Sequence, residues 1–121
     1  MVQISVLLVD DEEDLSLVMA ERLEMRGYDA LGVTNAKDAL KLIDEKDFDV
    51  AVIDVKMPGI DGIELMCSIK RSKPVTEVIL FTGHGSHKEG ERGISEGAFD
   101  YLIKPVKIDD LIEKIEKAAR K

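Results

Sequence analysis

Apolar residues fall along this chain in two alternating rhythms. Five short runs are continuous and mostly β-branched or aromatic: Ile4-Ser5-Val6-Leu7-Leu8-Val9, Ala30-Leu31-Gly32-Val33, Val50-Ala51-Val52-Ile53, Val78-Ile79-Leu80-Phe81 and Tyr101-Leu102-Ile103. They predict strands, and the first, third and fourth are apolar almost throughout, as strands buried on both faces are. Between the runs, apolar residues recur at helical spacing. Leu15, Val18, Met19 and Leu23 make one stripe; Ala36, Ala39, Leu40 and Ile43 a second; Leu65, Met66 and Ile69 a third; Ile108, Leu111, Ile112, Ile115 and Ala119 the last. Turn signals sit at the joints: Gly27 after the first helix, Asn35 placed to cap the second, Pro58-Gly59 after the third strand, and Gly97 ending the fourth helical segment. Strand and helix alternating five times predict an α/β fold, a doubly wound (βα)5 sandwich whose parallel five-stranded sheet carries helices on both faces through right-handed crossovers.

The fourth helical segment departs from the pattern. His84 to Gly97 contains four glycines and one large apolar residue, Ile94. Each interior glycine costs a helix about 1 kcal/mol relative to alanine, so Gly90 and Gly93 together weaken it by roughly 2 kcal/mol. Little packing compensates in the sequence, and this helix is expected to be the least stable one, short, frayed or variable between copies.

Composition narrows the function classes. At 121 residues the chain is about one domain long and buries roughly two thirds of its unfolded surface, enough for one core. No linker, low-complexity stretch or tail interrupts it, so residues 1–121 are expected to form a single domain. No run approaches the roughly 20 apolar residues of a membrane span, and the N-terminus lacks a secretion signal, which points to a cytoplasmic location without membrane contact. Cys67 is the only cysteine, so neither an internal disulfide nor a cysteine metal cluster can form. The net charge of −8 opposes direct nucleic-acid binding, which draws on Lys and Arg set against phosphates. Acidic chains do bind cations.

The candidate chemistry lies at the ends of the strand runs. Asp10-Asp11 follows the first, Asp54 the third, Thr82 the fourth and Lys104, ahead of Pro105, the fifth. Each has a plainer reading: an N-cap with dipole-favoured acids, an Asx turn, a strand-favouring threonine, a solvated lysine. Together they are more specific, because a doubly wound sheet binds ligands beyond the carboxyl ends of its strands. Three carboxylates there repel by about 4 kcal/mol per pair at 4 Å and an effective dielectric of 20, so a positive charge must offset them. Hard oxygen ligands favour Mg²⁺, and Lys104 adds a fixed charge. A carboxylate beside both suits phosphoryl transfer, with Asp54 as the attacking group.

Four motifs carry a family resemblance: Val6-Leu7-Leu8-Val9-Asp10-Asp11-Glu12, Asp54-Val55-Lys56-Met57-Pro58-Gly59-Ile60-Asp61-Gly62, Phe81-Thr82-Gly83, and Gly97-Ala98-Phe99-Asp100-Tyr101-Leu102-Ile103-Lys104-Pro105. Across essentially its whole length the chain resembles the receiver domain of a two-component response regulator. The resemblance implies a flavodoxin-like sheet in the order 2-1-3-4-5. It makes Asp54 the phosphoacceptor for a histidine kinase or a phosphotransfer protein, and gives Mg²⁺ (or Mn²⁺) to Asp10, Asp11, Asp54 and the backbone carbonyl of Lys56. Thr82 becomes the switch hydroxyl and Tyr101 the switch aromatic; Lys104 pairs with the phosphoryl group, and Lys104-Pro105 is expected to be cis.

By the same resemblance the chain is a signalling switch rather than an enzyme, catalysing only its own phosphorylation and autodephosphorylation. Phosphorylation would reshape the face made by the fourth helix, fifth strand and fifth helix, which would engage an effector domain or protein, or a second copy as a homodimer on activation. Lys56 and His84, two residues beyond Asp54 and Thr82, are expected to set the phosphoryl lifetime.

Three other classes share parts of this pattern. A flavodoxin-like electron carrier needs a phosphate-cradling first loop, which Asp10-Asp11-Glu12-Glu13-Asp14 would repel. A haloacid-dehalogenase-type phosphatase needs an acid where Lys56 stands. A receiver-shaped interaction module that is never phosphorylated has no use for all five site residues. The chain reads either as a single-domain regulator or as the receiver of a longer one.

Overall fold

The five apolar runs become five parallel strands: β1 (Ser5–Val9), β2 (Asp29–Val33), β3 (Val50–Asp54), β4 (Glu77–Thr82) and β5 (Asp100–Ile103). Their order across the sheet is β2-β1-β3-β4-β5. The structure is a computed structural model that describes residues 3–83 and 87–120. Its helices are α1 (Glu13–Met25), α2 (Ala36–Glu45), α3 (Gly62–Ser72), α4 (His87–Ser95) and α5 (Ile108–Ala119). A minimal antiparallel ladder, Lys56–Met57 against Ile60–Asp61, lies between β3 and α3 and was not foreseen from the sequence.

Strand alternation divides the core into two layers. Leu7, Val9, Ala51, Ile53, Val78 and Leu80 meet α2 and α3 on one face, whereas Val6, Leu8, Val50, Val52, Ile79 and Phe81 meet α1 and α5 on the other. All twelve of these side chains are buried, because β1, β3 and β4 are central and covered on both faces. At about 1.5–3 kcal/mol for each large apolar side chain removed from water, these layers supply the main driving force for folding.

Local signals act as the sequence indicated. The Asn35 side chain accepts a hydrogen bond from Asp38 N at 2.8 Å and caps α2, and Asp61 does the same for α3 through Ile63 N at 2.8 Å. Gly27 and Gly97, at φ of +93° and +124°, turn the chain out of α1 and α4.

The amino edge of the sheet carries a row of acids, each with its own partner. β2, β4 and β5 open on Asp29, Glu77 and Asp100, which pair with Lys46, Lys70 and Lys114 at 3.2, 3.6 and 2.6 Å. Just before β3, Asp49 accepts the Ser5 backbone N–H at 2.8 Å. Farther along the same end, Tyr28 donates its hydroxyl to Glu116 of α5 at 2.5 Å. Burial and that carboxylate push the Tyr28 phenol up to about 12.

The described part of α4 is nine residues long, and its glycines do more than lower helix propensity. Gly90 and Gly93 are its buried residues; a Cβ on Gly90 would run into the Tyr101 ring, and one on Gly93 into the Leu80 side chain. The sheet supplies the large side chains and α4 supplies the flat surface. Ile94, the only large apolar residue in the described helix, is 42% exposed. The sequence therefore misread the packing: it looked for anchoring groups on the helix, and they stand on the strands.

Gly62, the first residue of α3, faces a stricter limit. A Cβ there would collide with the carbonyl oxygen of Asp54 and lie 2.7 Å from Val55 Cα. Backbone cannot rotate aside as a side chain can. Gly62→Ala is expected to destabilise the fold by about 2–3 kcal/mol, despite alanine's better helix propensity; urea denaturation measures the cost, and a stability gain would show that the α3 start slides freely past β3.

Candidate functional site

Parallel pairing brings the ends of four strands level. Val9 is in register with Ile53, Asp54 with Phe81, and Thr82 with Ile103. Asp10, Asp54, Thr82 and Lys104 thus emerge along one edge, flanking the point where the chain reverses its strand order between β1 and β3. Asp10, Asp54 and Thr82 are all buried, at 4%, 6% and 0% exposure.

Lys104 holds this cluster together. Its ammonium donates to Asp10 Oδ2 at 2.9 Å and to Asp54 Oδ2 at 3.2 Å, and lies 3.5 Å from Glu12 Oε1. The other oxygens of both aspartates are also occupied: Asp10 Oδ1 accepts Glu12 N at 3.0 Å and Asp54 Oδ1 accepts Lys56 N at 3.2 Å. The backbone of Lys104 is fixed by donation to Thr82 O at 2.9 Å, and the Lys104–Pro105 peptide is cis.

Two charge shifts follow from this arrangement. Burial pushes the Asp54 carboxyl above its ordinary 3.8; the Lys104 ammonium pulls it back, and the Asp10 carboxylate pushes it up again. For Lys104, burial opposes the charged form, but the hydrogen bond and charge of Asp10, joined by those of Asp54, outweigh it and raise the ammonium above 10.5. The site therefore keeps its lysine charged while making Asp54 a reluctant anion.

Asp11 is exposed, yet one of its carboxylate oxygens lies with those of Asp10 and Asp54 inside a 4.8 Å cluster, the only such group among the described residues. Three oxygen donors at this spacing fit a hard divalent cation. Thr82 Oγ1 is buried and has no hydrogen-bond partner among the described residues.

Other groups singled out in the sequence lie around this centre. Tyr101 sits half-buried on β5, its hydroxyl 3.1 Å from His87 Nδ1. The Lys56 side chain is 73% exposed and 3.4 Å from Glu89 on α4; His84 lies outside the described residues. Sequence reasoning missed the ties from α4 to the loop after Asp54, Lys56 to Glu89 and Asp61 to Arg92 at 3.2 Å. No spacing along the chain signals them, since they depend on where α4 lands.

A doubly wound sheet with an acidic, lysine-bridged centre at its switch point is distinct from α/β domains whose first loop cradles a phosphate. The sequence matches the response regulator receiver domain family over residues 6–116, so the chain belongs to that family, a class of signalling domains in two-component systems. It is 31% identical to the transcriptional regulatory protein TcrA of Mycobacterium tuberculosis over 98% of this chain and 47% of that protein; the chain thus spans about half of this relative. The receiver domain of NtrX from Brucella abortus has a TM-score of 0.91 at 31% identity, over 96% of this chain and 98% of that one. A response regulator from Burkholderia pseudomallei, solved with a phosphorylated aspartic acid, a calcium ion and citrate, has a TM-score of 0.88 at 25% identity, over 98% of this chain and 69% of that one.

Two substitutions at the site should move stability in opposite directions. Lys104→Ala leaves two buried carboxylates unpaired and is expected to cost about 3 kcal/mol at pH 7. Because the fold raises the Asp54 pKa, ionised Asp54 carries a penalty that is absent below its unfolded pKa and complete above its folded one. Asp54→Asn is therefore expected to raise Tm at neutral pH, with the gain shrinking as pH falls through the carboxylate range. Thermal denaturation from about pH 7 to about pH 3 follows both; a neutral-pH loss in Asp54→Asn would mean that its bond to Lys104 outweighs burial.

Proposed function

We propose that this domain receives a phosphoryl group on Asp54 from a histidine kinase or phosphotransfer protein and relays the change to an effector domain or protein. The observation that carries the reading is the Thr82 hydroxyl, buried and without a hydrogen-bond partner among the described residues, at the edge where Asp54 and Lys104 meet. Leaving such a group unsatisfied costs about 1–3 kcal/mol. A phosphoryl oxygen on Asp54 gives it an acceptor.

In the transfer, an Asp54 carboxylate oxygen forms the new bond to phosphorus while the phosphorus–nitrogen bond to the donor imidazole breaks, and the imidazole takes a proton from solvent. Lys104, already shared between Asp10 and Asp54, follows the charge onto the phosphoryl oxygens. Asp10, Asp11, Asp54 and the Lys56 backbone carbonyl would hold Mg²⁺, or Mn²⁺ in its place, and the three carboxylate oxygens within 4.8 Å fit that ion. When bound, the ion supplies positive charge for the oxygens of the transferring group. The phosphorylated aspartic acid and calcium ion of the Burkholderia relative support both assignments.

Phosphorylation adds about −1.5 to −2 charge. Thr82 is drawn toward it, Tyr101 repositions, and the face formed by α4, β5 and α5 takes its signalling shape for an effector or a second copy of the chain. The transcriptional role of TcrA supports a transcriptional output.

Intact-mass analysis after incubation with acetyl phosphate tests the reading directly. One phosphoryl group is expected in the presence of Mg²⁺, none with chelator, and none in Asp54→Asn; modification that persists in Asp54→Asn would remove Asp54 as the acceptor. Lys56 sets a second expectation, because its side chain lies beside the acceptor loop and is held by Glu89. Lys56→Ala is expected to change the autodephosphorylation rate by about threefold or more, with His84→Ala measured in parallel. Unchanged rates in both would remove these residues from control of phosphoryl lifetime.

A further inference from the structure

Tyr101 is gripped by α4 at two points. Its ring lies across Gly90, where even a methyl group would stand 2.6 Å from Cδ1 and closer still to Cγ and Cδ2. Its hydroxyl meets His87 Nδ1 at 3.1 Å, and the two rings pack edge-on at 78° with centroids 6.0 Å apart. His87 and Gly90 are three residues apart on one helix, so they share a face.

A glycine seat allows a ring to come close but does not fence it. It has no side chain to stop the ring sliding sideways. The bond at the far end of the ring supplies that restraint, whether the hydroxyl donates to an unprotonated Nδ1 or an Nδ1–H donates to the hydroxyl oxygen.

We propose that His87 is a positioning residue for Tyr101, a latch that holds the ring on Gly90 and makes Tyr101 and α4 move as one body. Tyr101 then does not turn on its own; its orientation is tied to the seating of the helix. That helix is in turn tied to the acceptor loop by Lys56–Glu89 and Asp61–Arg92 at 3.4 and 3.2 Å, across a cleft of about 550 Å³. The same helix thus carries polar attachments to the loop that follows Asp54 and to the aromatic on β5. Because His87 is exposed, its replacement leaves the core intact. The inference rests on the reading of Tyr101 as the switch aromatic, and it assigns the latched state to the domain without a phosphoryl group.

Two measurements separate the latch from that reading. The chain has two tyrosines, so in protein made with ring-¹³C tyrosine, Tyr28→Phe identifies the Tyr101 signals. His87→Ala is expected to move them toward the free-tyrosine position, and His87→Asn, which retains a hydrogen-bonding group near Nδ1, to restore them. The half-saturating concentration of beryllofluoride in Mg²⁺ is expected to fall roughly fivefold in His87→Ala and to stay unchanged when His87→Ala is made on Tyr101→Phe. Unmoved ring signals, or an equal fall on the Tyr101→Phe background, would overturn the latch. If the parent protein shows no Mg²⁺-dependent beryllofluoride binding, the phosphoacceptor reading fails, and the ring signals alone decide the latch.

Discussion

Two buried carboxylates share one ammonium, and the rest of this molecule is arranged so that they can. At the separations of such a cluster, like charges repel by several kcal/mol even with an effective dielectric near 20, and burial adds a desolvation penalty that only a fixed partner offsets. Lys104 reaches Asp10 and Asp54 because β5 ends level with β4, and β4 level with β3. The close approach of Gly62 to Asp54 carries the chain directly from the acidic edge into α3. Each of these features would be a cost in a domain built for stability alone. Here they keep a carboxylate buried and only partly neutralised.

Most of this edge was legible in the sequence because parallel topology turns a one-dimensional fact into a spatial one. A polar residue that ends an apolar run in a buried strand must stand at the carboxyl edge, so Asp10, Asp54 and Thr82 declared their positions before any contact was known. The two-layer core was legible for the same reason, since strands buried on both faces lose the alternation that would mark an exposed side. Less visible were features set by the approach of one element to another. The short ladder around Pro58-Gly59 has two residues on each side, too few to leave a periodic signal. The ion pairs of α4 depend on the angle at which that helix docks.

The glycines of α4 show how a propensity argument can be incomplete in meaning. Glycine lowers the intrinsic propensity of a helix. Yet helix stability and helix seating are separate quantities: the residues that lower the first permit the second by admitting Tyr101 and Leu80 to the backbone. The result is a helix with a small apolar footprint whose remaining attachments are hydrogen bonds and exposed ion pairs, each worth about 1 kcal/mol or less. Attachments of that size can be exchanged by a ligand or a covalent group without unfolding the domain.

The row of acids at the amino edge has a bearing on the opposite end. Asp29, Glu77 and Asp100 are each paired with a lysine, whereas Asp11, Glu13 and Asp14, which follow β1 at the end of the sheet that carries Asp54, make no ion pair among the described residues. Local cancellation is thus more complete for these three acids than for those near Asp54, which adds negative potential at that end of the sheet. A diffusing cation is drawn to the end that holds the carboxylates of Asp10, Asp11 and Asp54. Its capture therefore quickens at low ionic strength, and an approaching protein that presents positive charge is turned to meet that end before any contact forms.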